Sequence, residues 1–241
     1  MKSKHDNLDV RHWETRPENG WANFEFNQPY SKGLSRLNED ILNKTNYDPA
    51  VLFQWGTMQA MAIIEILKTV EKNLGEEGQK IIFECLKNVG YGVGKQITEG
   101  TKIPKEMTNT EWFSFYATII NRIAYASLET PTIDADDSAS FHIDWCPHQD
   151  HYQAFDCRVQ RYFVQGMIDA AIEYMESQGR NDVWDVLFQT TIPSGSETCL
   201  FALEKGNPDK TRKWAEYTKT IEKKAIEISK RNINTDRKAK R

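Results

Sequence analysis

Apolar positions crowd together from Val51 to Leu67 (Leu52, Met58, Met61, Ile63 and Ile64 among them), which predicts a mostly buried helix. Asp48-Pro49 supplies its start, with Asp as cap and Pro in the first turn, and Gly75 supplies its end. A second helix is predicted from Glu76 to about Thr98, with Ile81, Ile82, Cys85, Leu86, Val89 and Val93 inward. Thr108-Asn-Thr-Glu111 is a capping-box pattern and opens a third helix dense in aromatics, including Trp112, Phe113, Tyr116 and Tyr125. Residues 131–138, with Asp134, Asp136 and Asp137, read as an acidic loop. Residues 139–146 then alternate as a strand does, placing Ala139, Phe141, Ile143 and Trp145 on one face and His142, Asp144 and Cys146 on the other. A long helix is predicted from Gln149 to about Gln178. Residues 185–192 and 197–204 alternate around Pro193-Ser-Gly-Ser196, a hairpin signal. Asn207-Pro208 opens a last amphipathic helix to about Arg231.

The order of elements is helices, strand, helix, hairpin, helix. It predicts one α+β domain over residues 46–232, mostly helical with a small antiparallel sheet that includes the C-terminal hairpin. Residues 1–45 show little periodicity and read as an irregular N-terminal arm that wraps the domain through Trp13, Trp21, Phe24 and Phe26. Residues 233–241 read as a frayed basic tail.

At 241 residues the chain can bury a substantial core, and 39% hydrophobic with 27% charged residues excludes wholesale disorder. A net charge of -4 argues against nucleic acid as the main partner. The basic segment after Lys205 is interleaved with Glu216, Glu222 and Glu227, so it reads as a docked helix at a homodimer interface. No apolar run approaches the roughly 20 residues that cross a bilayer, and the polar start is not a signal peptide. Four scattered cysteines do not make a disulfide framework in a chain of this size, which points to reduced thiols and a cytoplasmic protein.

Gly90-Tyr-Gly-Val-Gly94 has glycines in a phosphate-loop style, but it follows a helix rather than a strand. Close helix packing or a helix break is the expectation there. The reactive groups concentrate instead in residues 141–157, with three of the chain's five histidines and two of its four cysteines. Two mechanisms fit that stretch. Cys146 can act as a thiolate with His148, His151 or His142 as base and Asp144 orienting it. Alternatively Cys146, His148, His151 and Cys199 can hold a zinc-like ion that activates water or takes a substrate. The bland alternative is a buried structural Cys146 with histidines on a solvated face. Asp169 stands among apolar helix residues and needs a partner there. Trp112 and Tyr116, with His142 and Asp144, are the candidate substrate contacts.

Cys146-Pro147 at a strand end, Asp169 in the next helix, Ile192-Pro193 and Gly195-Ser-Glu-Thr-Cys199-Leu-Phe201 in a hairpin form a pattern over about residues 80–205. It resembles the L-2-amino-thiazoline-4-carboxylic acid hydrolase family and, more distantly, the four-vinyl-reductase domain. It departs from the hydrolase pattern at Gln165-Gly166, where that family carries a Cys. The first resemblance implies hydrolysis of a C–N bond in a small cyclic or amide-like substrate, with Cys146, His148, His151 and Asp169 catalytic. The second implies a small-molecule-binding module with a cysteine-held metal and no turnover. An accessory subunit that does no chemistry is the third reading.

Overall fold

The structure, a computed structural model, describes residues 26–44, 46–127, 131–206 and 213–239. It is an α+β fold of six α-helices and a four-stranded antiparallel sheet, among the described residues. Trp13, Trp21 and Phe24 lie outside the described residues. The described end of the arm is partly helical: α1 covers Ser31–Leu37 and runs on into a π-turn, Asn38–Leu42. Phe26 is buried, with its ring 5.5 Å from Trp112 and 5.8 Å from Tyr116, so the arm does reach the core at that point.

Helix α2 (Ala50–Leu74) begins where Asp48 Oδ1 accepts the Ala50 N–H at 2.9 Å, and it stops at Gly75, whose φ of 60° suits a residue without Cβ. Helix α3 (Glu76–Thr98) follows at once. Helix α4 (Asn109–Tyr125) carries the reciprocal capping box, with the Thr108 N–H donating to Glu111 Oε2 at 2.8 Å. The segment expected to be an acidic loop contains strand β1 (Thr132–Ala135), paired to β2 (Ser138–Ile143) through a tight turn at Asp136-Asp137. Asp134 lies within β1, where an edge strand tolerates a charge that a central strand does not, and Asp136 and Asp137 form the turn. Helix α5 (Arg158–Ser177), β3 (Trp184–Thr190), β4 (Cys199–Lys205) and α6 (Lys213–Ala239) complete the chain, with the sheet in the order β1-β2-β4-β3.

One face of the sheet is the core. Phe141 lies opposite Phe201 in the ladder, their rings 4.8 Å apart, and Phe113 of α4 stacks on Trp184 at 4.9 Å. Helices α3 and α5 are in unusually close contact. A Cβ added to Gly90 would sit 2.0 Å from the Phe163 carbonyl oxygen, and one on Gly166 would sit 1.9 Å from that of Lys87. The glycine-rich stretch therefore serves backbone-to-backbone packing of two helices. Across α2 and α5, Arg158 donates to both carboxylate oxygens of Glu71, at 3.2 and 2.6 Å, in a buried bidentate pair.

Helix α2 departs from the expectation of a mostly buried element. Only its inner edge (Ile64, Leu67 and Glu71) is buried, and Val51, Trp55, Met58 and Ile66 are exposed. Among the described residues it is the one helix long and apolar enough to cross a membrane, which corrects the expectation that no apolar run reaches that length.

Candidate functional site

The alternation of residues 139–146 holds as far as Ile143 and then fails. Ala139, Phe141 and Ile143 are buried, but β2 ends there, Trp145 is 49% exposed and Cys146 is only 6% exposed. Without the ladder, strand parity no longer decides which way a side chain points. Residues 146–152 fold into turns instead. Gln149 N–H donates to the Cys146 carbonyl at 3.1 Å, and Tyr152 N–H to that of His148 at 2.8 Å. Asp156 Oδ2 accepts the Gln153 N–H at 3.0 Å and also pairs with Lys68 Nζ at 3.0 Å, which fixes the loop just before α5. The helix expected from Gln149 therefore begins only at Arg158. His148 and His151, expected on one helix face, are separated: His148 is buried and His151 is exposed.

This loop floors a cavity of about 770 Å³ bounded by α2, α3, the end of α4 and α5. Its walls are almost wholly apolar, with Phe53, Ile63, Val93, Phe163 and Met167 prominent. The polar exceptions are few, and they decide what the cavity can do. Thr57 Oγ1 and His148 Nδ1 are buried side-chain atoms with no hydrogen-bond partner among the described residues, the Tyr152 hydroxyl is within reach of the Gln160 side chain, and all four residues line this space. The His148 and Tyr152 rings stack at 4.7 Å. Burial, with His151 nearby, holds His148 below its ordinary value, so it is a neutral imidazole near pH 7; burial likewise raises the Tyr152 phenol. The cavity is thus uncharged at these positions. It offers hydrogen bonds from neutral groups inside an apolar shell.

The other residues singled out from sequence fall in several places. Cys146 lies beneath the cavity floor, and burial pushes its thiol up to about 11, even though backbone N–H groups of His148 and Gln149 act in the opposite sense. It is a thiol rather than a thiolate at neutral pH. Cys199 is close enough to raise it further, and Cys157, pushed up to about 12, feels both. The sheet does bring Cys199 near Cys146, since Ile143 and Cys199 are partners in the ladder. Of the residues expected to hold a metal, Cys146, His148 and Cys199 are buried and His151 is exposed, and among the described residues no group of three or more His, Cys, Asp or Glu is arranged to hold a metal ion. Asp169 is half-buried with Lys87 Nζ at 3.0 Å and Gln165 Nε2 at 2.7 Å, and it lines a separate groove between α3, α5 and α6. Trp112 and Tyr116 are fully buried in the core and line no part of the cavity; Tyr116 donates to the Met167 carbonyl at 2.7 Å. His142 and Asp144 are half-buried outside it, with His142 Nδ1 3.3 Å from Thr198 Oγ1.

Sequence reasoning found His148 but missed Thr57 and Tyr152. Thr57 had a signal, since Gly56-Thr57 interrupts an otherwise apolar helix face on the side that meets α5. Tyr152 had none, because its role depends on a turn of irregular backbone.

No protein-family model matches the chain. An uncharacterized protein from Archaeoglobus fulgidus is 48% identical over 216 residues, covering 89% of this chain and 95% of that protein. A solved structure of a trafficking protein particle complex subunit 3 from Naegleria fowleri, covalently bound to palmitic acid, superposes with a TM-score of 0.45 at 10% identity. That superposition covers 63% of this chain and 95% of the other.

Proposed function

Since the chain belongs to one family with the uncharacterized Archaeoglobus fulgidus protein, a family whose name carries no activity, we propose a function from the cavity: this is a small-molecule-binding domain that works without turnover. The observation that carries the reading is the convergence of two unpaired buried polar groups, Thr57 and His148, on one apolar space beside the Tyr152–Gln160 pair. A buried polar atom without a partner costs roughly 1–3 kcal/mol, so two in one cavity make a bound partner the economical explanation. The ligand class that fits is a largely apolar, uncharged molecule with one hydrogen-bonding end. The cavity volume lies within the roughly 300–1,000 Å³ usual for such sites. A cytoplasmic location goes with this reading.

Binding is favoured over hydrolysis by two features. The Cys146 thiol is held protonated by burial, and Asp169, which would support it, lines a different groove. No metal is part of the proposal.

The test fills the cavity. Ala60 lines it from α2 and is only half-buried, so Ala60→Trp can occupy the space without cutting into the core. With N-phenyl-1-naphthylamine, an uncharged fluorescent probe carrying one N–H, the wild type is expected to bind at one saturable site, and Ala60→Trp to weaken that binding at least about tenfold with an unchanged melting temperature. Met58→Glu, on the outer face of α2, is the control for probe adsorbed at the surface and leaves the saturable site intact. Equal binding by wild type and Ala60→Trp overturns the reading.

A further inference from the structure

A second, smaller cavity of about 190 Å³ lies where the start of α5, the end of β3 and the first turns of α6 meet. It is built unlike the apolar cavity. Its mouth is neutral and polar, with Gln189, Thr190 and Ser194 exposed, and its floor holds two buried arginines, Arg158 and Arg161. No Asp or Glu lines it among the described residues. The two arginines differ in what they offer. Arg158 gives Nε and Nη2 to Glu71, and Nη1 to the Phe155 carbonyl at 2.7 Å, so its charge and its fork are committed to the fold. Arg161 donates Nη2 to Thr218 Oγ1 at 3.2 Å, and the rings of Phe188 and Tyr217 lie 4.7 and 4.5 Å from its guanidinium carbon. These contacts orient a cation without neutralising it, since a hydroxyl and two π-faces carry no net charge. Glu222 also feels Arg161, but its Oε1 accepts the Tyr162 hydroxyl at 2.8 Å and it lines the separate groove beside α3.

We propose that this cavity binds a small oxyanion, the carboxylate or phosphate group of a small molecule, with Arg161 as the residue that grips it. The hydroxyls at the mouth are already committed as donors. Thr190 Oγ1 donates to the Thr198 carbonyl at 3.2 Å, and Ser194 Oγ to the Thr191 carbonyl at 2.6 Å. The attraction must therefore come from the floor. A guanidinium suits it, because its planar fork matches two oxygens of a carboxylate or phosphate. Burial pulls Arg161 down from 12.5 to about 10, against the opposing effect of the Tyr217, Tyr125 and Tyr162 phenols. It is thus a cation at neutral pH that has lost much of its hydration. An oxyanion offsets that loss, and an apolar or cationic guest does not. Size narrows the class. A water takes about 30 Å³ of liquid, so the cavity has room for about six, enough for phosphate or an acid of about three or four carbons but not for a nucleotide. Thr57 and His148 line no part of this space, so the oxyanion site and the apolar cavity stand or fall separately.

The test uses the full chain and isothermal titration calorimetry, with inorganic phosphate and malonate as probes at an ionic strength held constant with chloride. The wild type is expected to bind at least one of the two at a single site, with a Kd of about 1 mM or tighter. Arg161→Gln is expected to weaken that binding at least about tenfold. Replacing a buried arginine can unfold the chain, so two substitutions at the exposed mouth give an independent reading. Gln189→Glu is isosteric and adds a negative charge at the mouth, and it is expected to weaken binding at least about threefold, whereas Gln189→Lys is expected to tighten it by about as much. Phosphate bound in preference to malonate supports the site and identifies a phosphate group as its guest, and the reverse preference supports it with a carboxylate. Absence of binding to both probes at about 20 mM overturns the proposal. Binding that Arg161→Gln leaves unchanged, or that neither Gln189 variant moves, also overturns it, in favour of anions held on exposed lysines.

Discussion

Helix α5 meets α3 along one side and the cavity along another, and the two sides are built on opposite rules. On the α3 side, Gly90 and Gly166 remove every side-chain atom at the crossing, and backbone touches backbone. On the cavity side, Val159, Phe163 and Met167 face α2 across open space, and two polar atoms there, on Thr57 and His148, have no partner among the described residues. Gly90 belongs to both, since it abuts Phe163 in the seam and also lines the cavity. The seam fixes how deeply α3 and α5 sit against each other, and that depth decides how far the third wall, α2, stands off. Tight packing in one place therefore defines the empty volume in the other.

Breaking the seam should have the largest effect. In Gly166→Ala the new methyl falls 1.9 Å from the Lys87 carbonyl oxygen and 2.5 Å from the Tyr91 nitrogen, both backbone atoms that cannot turn aside. The helices must separate, and the expected loss is about 3 kcal/mol or more, a large part of a domain's total stability. Gly92→Ala is the matched control. Nothing lies within 4 Å of its added Cβ, and a helical Gly→Ala change at an exposed position should stabilise by about 0.5–1 kcal/mol. Urea midpoints of the two variants beside wild type measure both. If Gly166→Ala melts like wild type, the helices do not approach as closely as described.

The seam was legible in the sequence and the cavity was not, for a physical reason. Glycines inside an apolar helical pattern have few explanations, and Gly90-Tyr-Gly-Val-Gly94 after a helix had close packing as one of them. Helix ends at Asp48, Gly75 and Thr108 were readable for the same reason, because caps and breakers act on their immediate neighbours. A cavity is a relation among surfaces far apart in the chain, and no local pattern encodes it. The loop 144–152 shows the limit most sharply. Reading it as strand and then helix put Cys146 beside His142 on a chemical face and paired His148 with His151. Once β2 ends at Ile143, period-two reasoning has no backbone to act on, and turn hydrogen bonds decide that Cys146 and His148 go in while Trp145 and His151 stay out. Helix α2 misled in a different way. Its apolar density predicted burial, yet density alone cannot tell a face covered by the same chain from one left uncovered.

The cavity floor can be sharpened by pH. Cys146 and Cys157 are pushed up to about 11 and about 12 from an ordinary value of 9.0, and burial is the main cause in both. In the unfolded chain these thiols ionise first, near pH 9, while the folded protein still holds their protons. The stabilisation is therefore complete below pH 9 and declines as pH rises toward 11, by about 1.4 kcal/mol per pH unit for each thiol. Comparing urea midpoints at pH 8 and pH 10 for wild type and Cys146→Ala isolates one of them, since other alkaline titrations are common to both. The variant should show the shallower decline. Equal slopes would mean that Cys146 is solvated in the folded protein, and would reopen the case for a reactive thiolate.

The smallest expected change in stability is the most informative about the cavity. A buried threonine hydroxyl ordinarily gives up a hydrogen bond when it is replaced by the near-isosteric valine, at about 1 kcal/mol. Thr57 Oγ1 is buried without a partner, so Thr57→Val removes a polar group that was already costing desolvation. The unliganded protein should be unchanged or gain up to about 1 kcal/mol, read as a urea midpoint that does not fall. A molecule that hydrogen-bonds Thr57 reverses the sign once it is bound, because the variant then forfeits that bond. The wild type saturated with ligand should be more stable than the saturated variant even though the unliganded pair are not ordered that way. That crossing of order distinguishes a polar group kept for a ligand from one that is an imperfection of packing. A midpoint that falls in the unliganded variant would show that Thr57 is already satisfied, by an ordered water within the cavity.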